Sequence, residues 1–296
     1  VSTPRFLDLP PGVAPQKIET PQGTFAALDA RPVSGVIERW PALLVPGLTG
    51  SKEDFIAVLM TLAQSGRRVV AIDQRGQYET PGPDEPAAYT CPALGADVDA
   101  LAQIIGGGDP VHLVGHSFGG LVAREAVIDG RTKFASFTLM SSGPGAIEGR
   151  RALGGRKIMA EVDAFGLEHV WTHRLEPEAL ANDVSDDILA FLRKRLLTNS
   201  PTALACMAKQ VLTMHDRTDE LRQIEVPTLV LYGEHDDGWP PETQSEMADR
   251  LGADSVVVPG AVHSPAVEAP ETTAAALVRF WNAAEKHYLD TRSGVL

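Results

Sequence analysis

Short apolar runs alternate with helical periods along most of this chain. Arg68-Val69-Val70-Ala71-Ile72, Val111-His112-Leu113-Val114 and Phe134–Met140 are brief and almost wholly apolar, the style of strands buried on both faces. Val226–Tyr232 and Ser255–Val258 have the same character. Between them, Leu94, Val98, Leu101 and Ile105 step by four, three and four, the spacing of one helix face. Leu121–Ile128 predicts a helix after the second run, and Leu277, Phe280, Trp281 and Ala284 predict a last one. The alternation implies an α/β fold, a mostly parallel central sheet with helices on both faces. Thr24-Phe25-Ala26-Ala27-Leu28 and Ala42-Leu43-Leu44-Val45 add short β pieces near the start. Residues 1–17 are proline-rich and lack a period, and are expected to form an arm over the surface.

One block breaks the rhythm. Residues 146–222 hold no convincing strand, and Glu161–Trp171, the face Ile188, Leu189, Leu192, Leu196 and Leu197, and Leu204–Met214 predict helices. The block is several times longer than one crossover requires. It is expected to be an insertion of two to four helices, at 146–222, into a core formed by 1–145 and 223–296.

Composition excludes some functions. With 39 acidic against 26 basic residues in 296, the net charge is −13, which argues against binding a nucleic-acid backbone. Two cysteines, Cys91 and Cys206, are too few for a disulfide framework and are expected to be free thiols. No apolar run approaches the roughly 20 residues of a membrane span. Val1–Phe6 lacks an apolar signal core, so a cytoplasmic chain is expected.

The chemistry concentrates at Gly115-His116-Ser117-Phe118-Gly119. A strand precedes it and a helix follows, so Ser117 can sit on a sharp strand-to-helix turn as an exposed nucleophile. Such a turn is strained and needs small neighbours, here Gly115, Gly119 and Gly120. A serine hydroxyl needs a base, and the base needs an orienting acid. On a parallel sheet both should follow the carboxyl ends of later strands. The run ending at Tyr232 leads into Gly233-Glu234-His235-Asp236-Asp237-Gly238-Trp239-Pro240, and the one ending at Val258 leads into Pro259-Gly260-Ala261-Val262-His263. The order is therefore Ser117, then Asp236 or Asp237, then His263.

From about residue 20 to the final helix, the chain resembles the α/β-hydrolase-fold serine hydrolases that carry a helical cap. Val45-Pro46-Gly47-Leu48-Thr49-Gly50, Asp73-Gln74-Arg75-Gly76-Gln77, the Ser117 turn and the two later loops agree with the family in order. The resemblance implies Ser117 as nucleophile, His263 as base and then acid, and Asp236 as orienting acid, with Asp237 the alternative. It further implies two backbone N–H donors for an oxyanion, Phe118 and Leu48, with a possible hydroxyl from Thr49. The family often has His-Gly where this chain has Pro46-Gly47. It implies esterase-like cleavage of a small to medium apolar ester or lactone without a cofactor. Amide, carbon–carbon and haloperoxidase-type reactions use the same triad, and some family members are small-molecule receptors.

Other candidates have plainer roles. His116 and His112 are expected to be packed and hydrogen-bonded, and Asp73 with Arg75 to form an ion pair across a turn. Ser51 and Asp54 have capping-box spacing ahead of a helix through Phe55, Val58 and Leu59. His235-Asp236-Asp237 lacks a second cluster with metal-ligand spacing, so no metal is expected. His169 and His173 fit a solvated helix face. Met159, Phe165, Trp171 and Phe191 are expected mostly in the cap core, with a few facing the serine.

Overall fold

A computed structural model of the chain describes residues 2–292. Val1 and residues 293–296, at the outer ends of the expected core segments, lie outside them. The strands are β1 (Val13–Thr20), β2 (Gly23–Ala30), β3 (Ala42–Val45), β4 (Val69–Ile72), β5 (Val111–His116), β6 (Phe134–Met140), β7 (Thr228–Gly233) and β8 (Asp254–Val258). They form one sheet in the order β1-β2-β4-β3-β5-β6-β7-β8. β2 pairs antiparallel with both β1 and β4, and the other pairings are parallel.

β3, β4 and β5 are buried at every position, because helices cover both faces. Leu43, Val45, Val70 and Leu113 share a core with α2 (Cys91–Gly106) and α3 (Phe118–Asp129). Ala42, Leu44, Val69 and Val114 share the opposite core with α1 (Ile56–Ala63) and the last helix (Pro270–Arg292). β3 feeds α1 on one face while β5 feeds α3 on the other. The chain thus diverges between β3 and β5, and the carboxyl ends of these strands are where sheets of this kind place a ligand. The Pro46–Thr49 loop and Ser117 both lie there.

The expected arm is shorter than residues 1–17, because Val13–Thr20 is the edge strand β1. Only Val13 and Ile18 of that strand are buried, and Pro15 lies within it, so it carries no clear alternation and is tolerated only at an edge. Residues 146–222 are free of strands. They hold α4 (Gly149–Phe165), α5 (Leu167–Val170), a π-helical turn (Trp171–Leu175), α6 (Glu176–Ala181), α7 (Asp186–Leu197), α8 (Pro201–Val211) and α9 (Thr218–Arg222). Glu161–Trp171 is not one helix, because Gly166, at φ 83°, ends α4 and α5 restarts after it. Trp171 and Phe191 sit in a small core with Ile188, Leu192 and Leu196, whereas Phe165 is exposed. His169 and His173 stack with ring centroids 4.1 Å apart.

Two local expectations change. Asp73 and Arg75 do not pair with each other, since Gly76 bends the turn at φ 77°. Asp73 instead binds Lys52 Nζ at 2.9 Å, and Arg75 pairs with Asp97 on α2. Asp54 does accept from the Ser51 N–H at 3.2 Å, but a 3-10 turn, Lys52–Phe55, precedes α1. The other Asp54 oxygen takes a buried ion pair from Arg195 of α7 at 2.7 Å, which ties the helical block to the core. Cys91 and Cys206 are free. Among the described residues, no helix is long and apolar enough to cross a membrane.

His112 and His116 lie on one face of β5, both buried. His112 Nδ1 accepts from Ser136 Oγ at 2.8 Å, and its Nε2–H donates to Glu285 at 3.0 Å. Burial pushes both imidazoles down to about 4, against the Glu285 contact at His112. The unfolded state takes up these protons as pH falls through about 6.5, while the native state does so only near 4, so stability falls with pH across that window. The loss is roughly 3 kcal/mol for each histidine. Asp97, pushed up to about 6 by burial against the pull of Arg75, acts with the opposite sign. The His112 contribution is therefore read by difference. Urea unfolding of wild type and His112→Asn should converge by about that amount from pH 7 to pH 4. A gap that stays constant with pH would remove the buried-neutral assignment.

Candidate functional site

The turn after β5 is built by close approach. A Cβ on Gly115 would lie 2.4 Å from the Gly119 carbonyl oxygen, and one on Gly119 would lie 2.4 Å from that of Pro46. Only glycine lets strand, helix and the Pro46 loop pack this closely. Ser117 takes φ 54° and ψ −121°, a region that costs a non-glycine residue about 1–3 kcal/mol. Its N–H donates to the Met140 carbonyl at 2.9 Å, and its carbonyl accepts from the Gly120 N–H at 2.9 Å. The strained turn is thus held at both ends.

His263 Nε2 lies 2.9 Å from Ser117 Oγ, and His263 Nδ1 lies 2.8 Å from Asp236 Oδ1. The carboxylate can only accept, so Nδ1 carries the proton and Nε2 is left to accept from the serine hydroxyl. Asp236 is fully buried, and its oxygens also accept from the Gly238 N–H at 2.8 Å and Gln244 Nε2 at 2.9 Å. Burial pushes its carboxyl up, but the bonds from His263, Gln244 and Gly238 outweigh this and hold it below the usual carboxylate range. Asp237, by contrast, is exposed and pairs with Arg151 of α4. Of the two candidate acids, Asp236 is the one that touches His263.

Asp236, Asp237 and His263 offer donor atoms within 4.8 Å of one another, where a metal ion could be held. Those of Asp236 and His263 are already joined to each other, and Asp237 Oδ2 is taken by Arg151.

The Pro46–Thr49 loop borders the serine. A Cβ on Gly47 would stand 3.1 Å from Ser117 Cβ. Phe118 is the first residue of α3, where a helix N–H has no acceptor inside the helix. Thr49 N–H is taken by Gln77 Oε1 at 2.6 Å, and Gly50 N–H by the Gly47 carbonyl at 3.1 Å. Among the described residues, the Leu48 N–H has no acceptor. Leu48 and Phe118 therefore offer two N–H groups on segments that adjoin Ser117.

Gln244 carries no sequence signal, and the packed, hydrogen-bonded role expected of His116 finds its partner here. His116 Nε2 donates to the His263 carbonyl at 2.7 Å, so this packed side chain also fixes the main chain of the candidate base. Gln244 bridges Asp236 and the Trp239 carbonyl. Trp239, with its ring 6.4 Å from that of His263, fills the space over Gly143.

Residues 42–276 match the model of the alpha/beta hydrolase family. The chain is similar to a non-heme haloperoxidase of Rhodococcus erythropolis, at 28% identity over 81% of this chain and 91% of that protein. It is also similar to a proline iminopeptidase of Lactobacillus delbrueckii subsp. lactis, at 33% identity over 38% of this chain. That match spans only 39% of the relative's length. A thermophilic esterase from Thermogutta terrifontis has a similar structure, with a TM-score of 0.71 and 24% identity over 92% of this chain and 99% of that one. With its sheet order, its serine turn and a family match over most of its length, this chain belongs to the alpha/beta hydrolase family.

Proposed function

We propose that the chain is a serine hydrolase working by acyl transfer on a small to medium, largely apolar carboxylic ester or lactone. The observation that carries this is the unbroken relay from buried Asp236 through His263 to Ser117. Ser117 Oγ attacks the carbonyl carbon while His263 Nε2 takes its proton. The oxyanion is received by the N–H groups of Leu48 and Phe118. His263 then gives the proton to the leaving alkoxide, which departs and leaves an acyl-serine. A water, deprotonated by His263, attacks that acyl group and releases the acid. Asp236 stays ionised and steadies the imidazolium.

The helical block 146–222 acts as a cap in this proposal. It meets the core beside the site, with Arg151 on Asp237, Arg195 on Asp54 and the Ser200 N–H on the Gly76 carbonyl. Half-buried Leu48 and the Trp239 ring beside His263 favour an apolar acyl group. The names of similar proteins span esterase, haloperoxidase and iminopeptidase, and one such relay serves all three.

A fluorophosphonate probe should label wild type at Ser117 and leave Ser117→Ala unlabelled; modification elsewhere, or none, would sink the proposal. A panel of aryl esters, lactones, prolyl amides, cleavable diketones and halide–peroxide mixtures then sorts the reaction. Esters or lactones should give the highest kcat/KM. A prolyl amide that beats every ester would move the assignment to a peptidase. Labelling without turnover of anything would move it to a small-molecule receptor.

A further inference from the structure

The Pro46–Thr49 loop has no regular secondary structure; besides the Gly50 N–H bond to the Gly47 carbonyl, three side-chain hydrogen bonds hold it, all from the turn after β4. Gln74 Nε2 donates to the Pro46 carbonyl at 2.8 Å. Gln77 Nε2 donates to the Gly47 carbonyl at 3.1 Å, and Gln77 Oε1 accepts from the Thr49 N–H at 2.6 Å. Gln77 is fully buried. Its amide orientation is fixed by its partners, since only Nε2 can meet a carbonyl and only Oε1 can meet an N–H.

These two bonds straddle Leu48. The Gly47 carbonyl and the Leu48 N–H belong to the same planar trans peptide, so they point in opposite directions. Holding the oxygen towards Gln77 aims the Leu48 N–H away from it. Rotating this peptide by half a turn would present the oxygen in place of the donor. Thr49 takes φ 61°, unusual for a non-glycine residue, so the loop needs an outside hold to keep this shape. The hold is itself anchored. Ser200 N–H donates to the Gly76 carbonyl at 2.9 Å, and Tyr78 N–H donates to Asn199 Oδ1 at 3.2 Å. Tyr78 also packs edge-on against Phe191 of α7.

We propose that Gln77 is a positioning residue for the oxyanion site, clamping the Gly47–Leu48 peptide so that its N–H faces the reacting carbonyl. This rests on the acyl-transfer function proposed above. Gln77 touches no substrate; it acts through Leu48. Ground-state binding should depend on it little, because the donor matters most when charge develops on the oxygen.

Two variants test this. Gln77→Met keeps the size and removes both bonds. Gln77→Glu keeps the acceptor for Thr49 but sets a carboxylate against the Gly47 oxygen, and serves if the first does not fold. In each, kcat on an aryl ester should fall roughly 10²- to 10³-fold with KM within about threefold. Affinity for an aryl trifluoromethyl ketone, which forms an oxyanion on Ser117, should fall by the same factor as kcat/KM. Hydrogen exchange at the Thr49 amide should speed up in Gln77→Met. Wild-type kcat in a folded variant would overturn the proposal. So would a rise in KM that accounts for the whole loss, or unchanged exchange at Thr49. The exchange readout does not depend on turnover. If it changes as expected but wild type shows no Ser117-dependent hydrolysis, the acyl-transfer proposal has failed, and the positioning role falls with it.

Discussion

Replacing Ser117 with alanine is expected to lower kcat on a short-chain aryl ester by about 10⁴-fold or more. The His263–Asp236 pair and the backbone donors would survive, but no atom would be left to form the acyl bond. The fold should be unharmed, because alanine tolerates the same backbone as serine at φ 54° and still carries its strain. Ser117→Gly should be equally inactive yet more stable. It relieves about 1–3 kcal/mol of strain and gives back part of that through unfolded-chain entropy, for a net gain of about 1 kcal/mol. Active-site serines commonly sit at such a cost to stability. Burst titration with the ester, alongside urea unfolding of the three proteins, measures both effects. Ester turnover in Ser117→Ala within tenfold of wild type would end the case for Ser117 as nucleophile.

How far the fold is legible in the sequence depends on burial. β3, β4 and β5 show as apolar runs because helices cover both their faces. β1 does not show, since an edge strand with two buried positions leaves no pattern to read. α2 shows because Leu94, Val98, Leu101 and Ile105 are all buried on one side. The break at Gly166 is hidden because apolar residues continue across it, and the glycine's left-handed backbone alone divides the helix.

The candidate site divides in the same way. Ser117, Asp236 and His263 carry motif, order and loop position, and the structure brings their side chains into one hydrogen-bonded chain. The choice between Asp236 and Asp237 is open to the sequence, because neighbouring residues on a loop differ only in direction, and direction comes from packing. The partners of Gln77, Gln74, Gln244 and His116 are illegible for another reason. Neutral polar side chains have no period, and each acts on a backbone group far away along the chain: Gln77 reaches back 28 residues to Thr49, and His116 forward 147 to His263. The Asp73–Arg75 pair is a mistaken inference of the opposite kind. Two complementary charges stand close in sequence, but the turn sends them to Lys52 and Asp97.

The neighbouring acids give the sharpest contrast, and it is an expected result of two nearly identical substitutions. Asp236→Asn should lower kcat by about 10⁴-fold. Its two oxygens serve three donors, from His263, Gly238 and Gln244. An asparagine must set its NH₂ against one of them. If the amide nitrogen faces His263, the imidazole is driven to the tautomer that presents a proton, rather than a lone pair, to Ser117. If it faces Gln244 instead, two donors meet in a buried space, and the imidazolium formed during the reaction has lost its counter-charge. Either arrangement leaves Ser117 without an effective base. Asp237→Asn should change kcat less than about threefold, since its partner Arg151 is exposed and such surface pairs are worth roughly 0–1 kcal/mol. Parallel kcat and unfolding measurements on the two variants decide the matter. Equal loss in both, or a larger loss at Asp237, would mean that the relay drawn from Asp236 to His263 is not the one that drives the reaction.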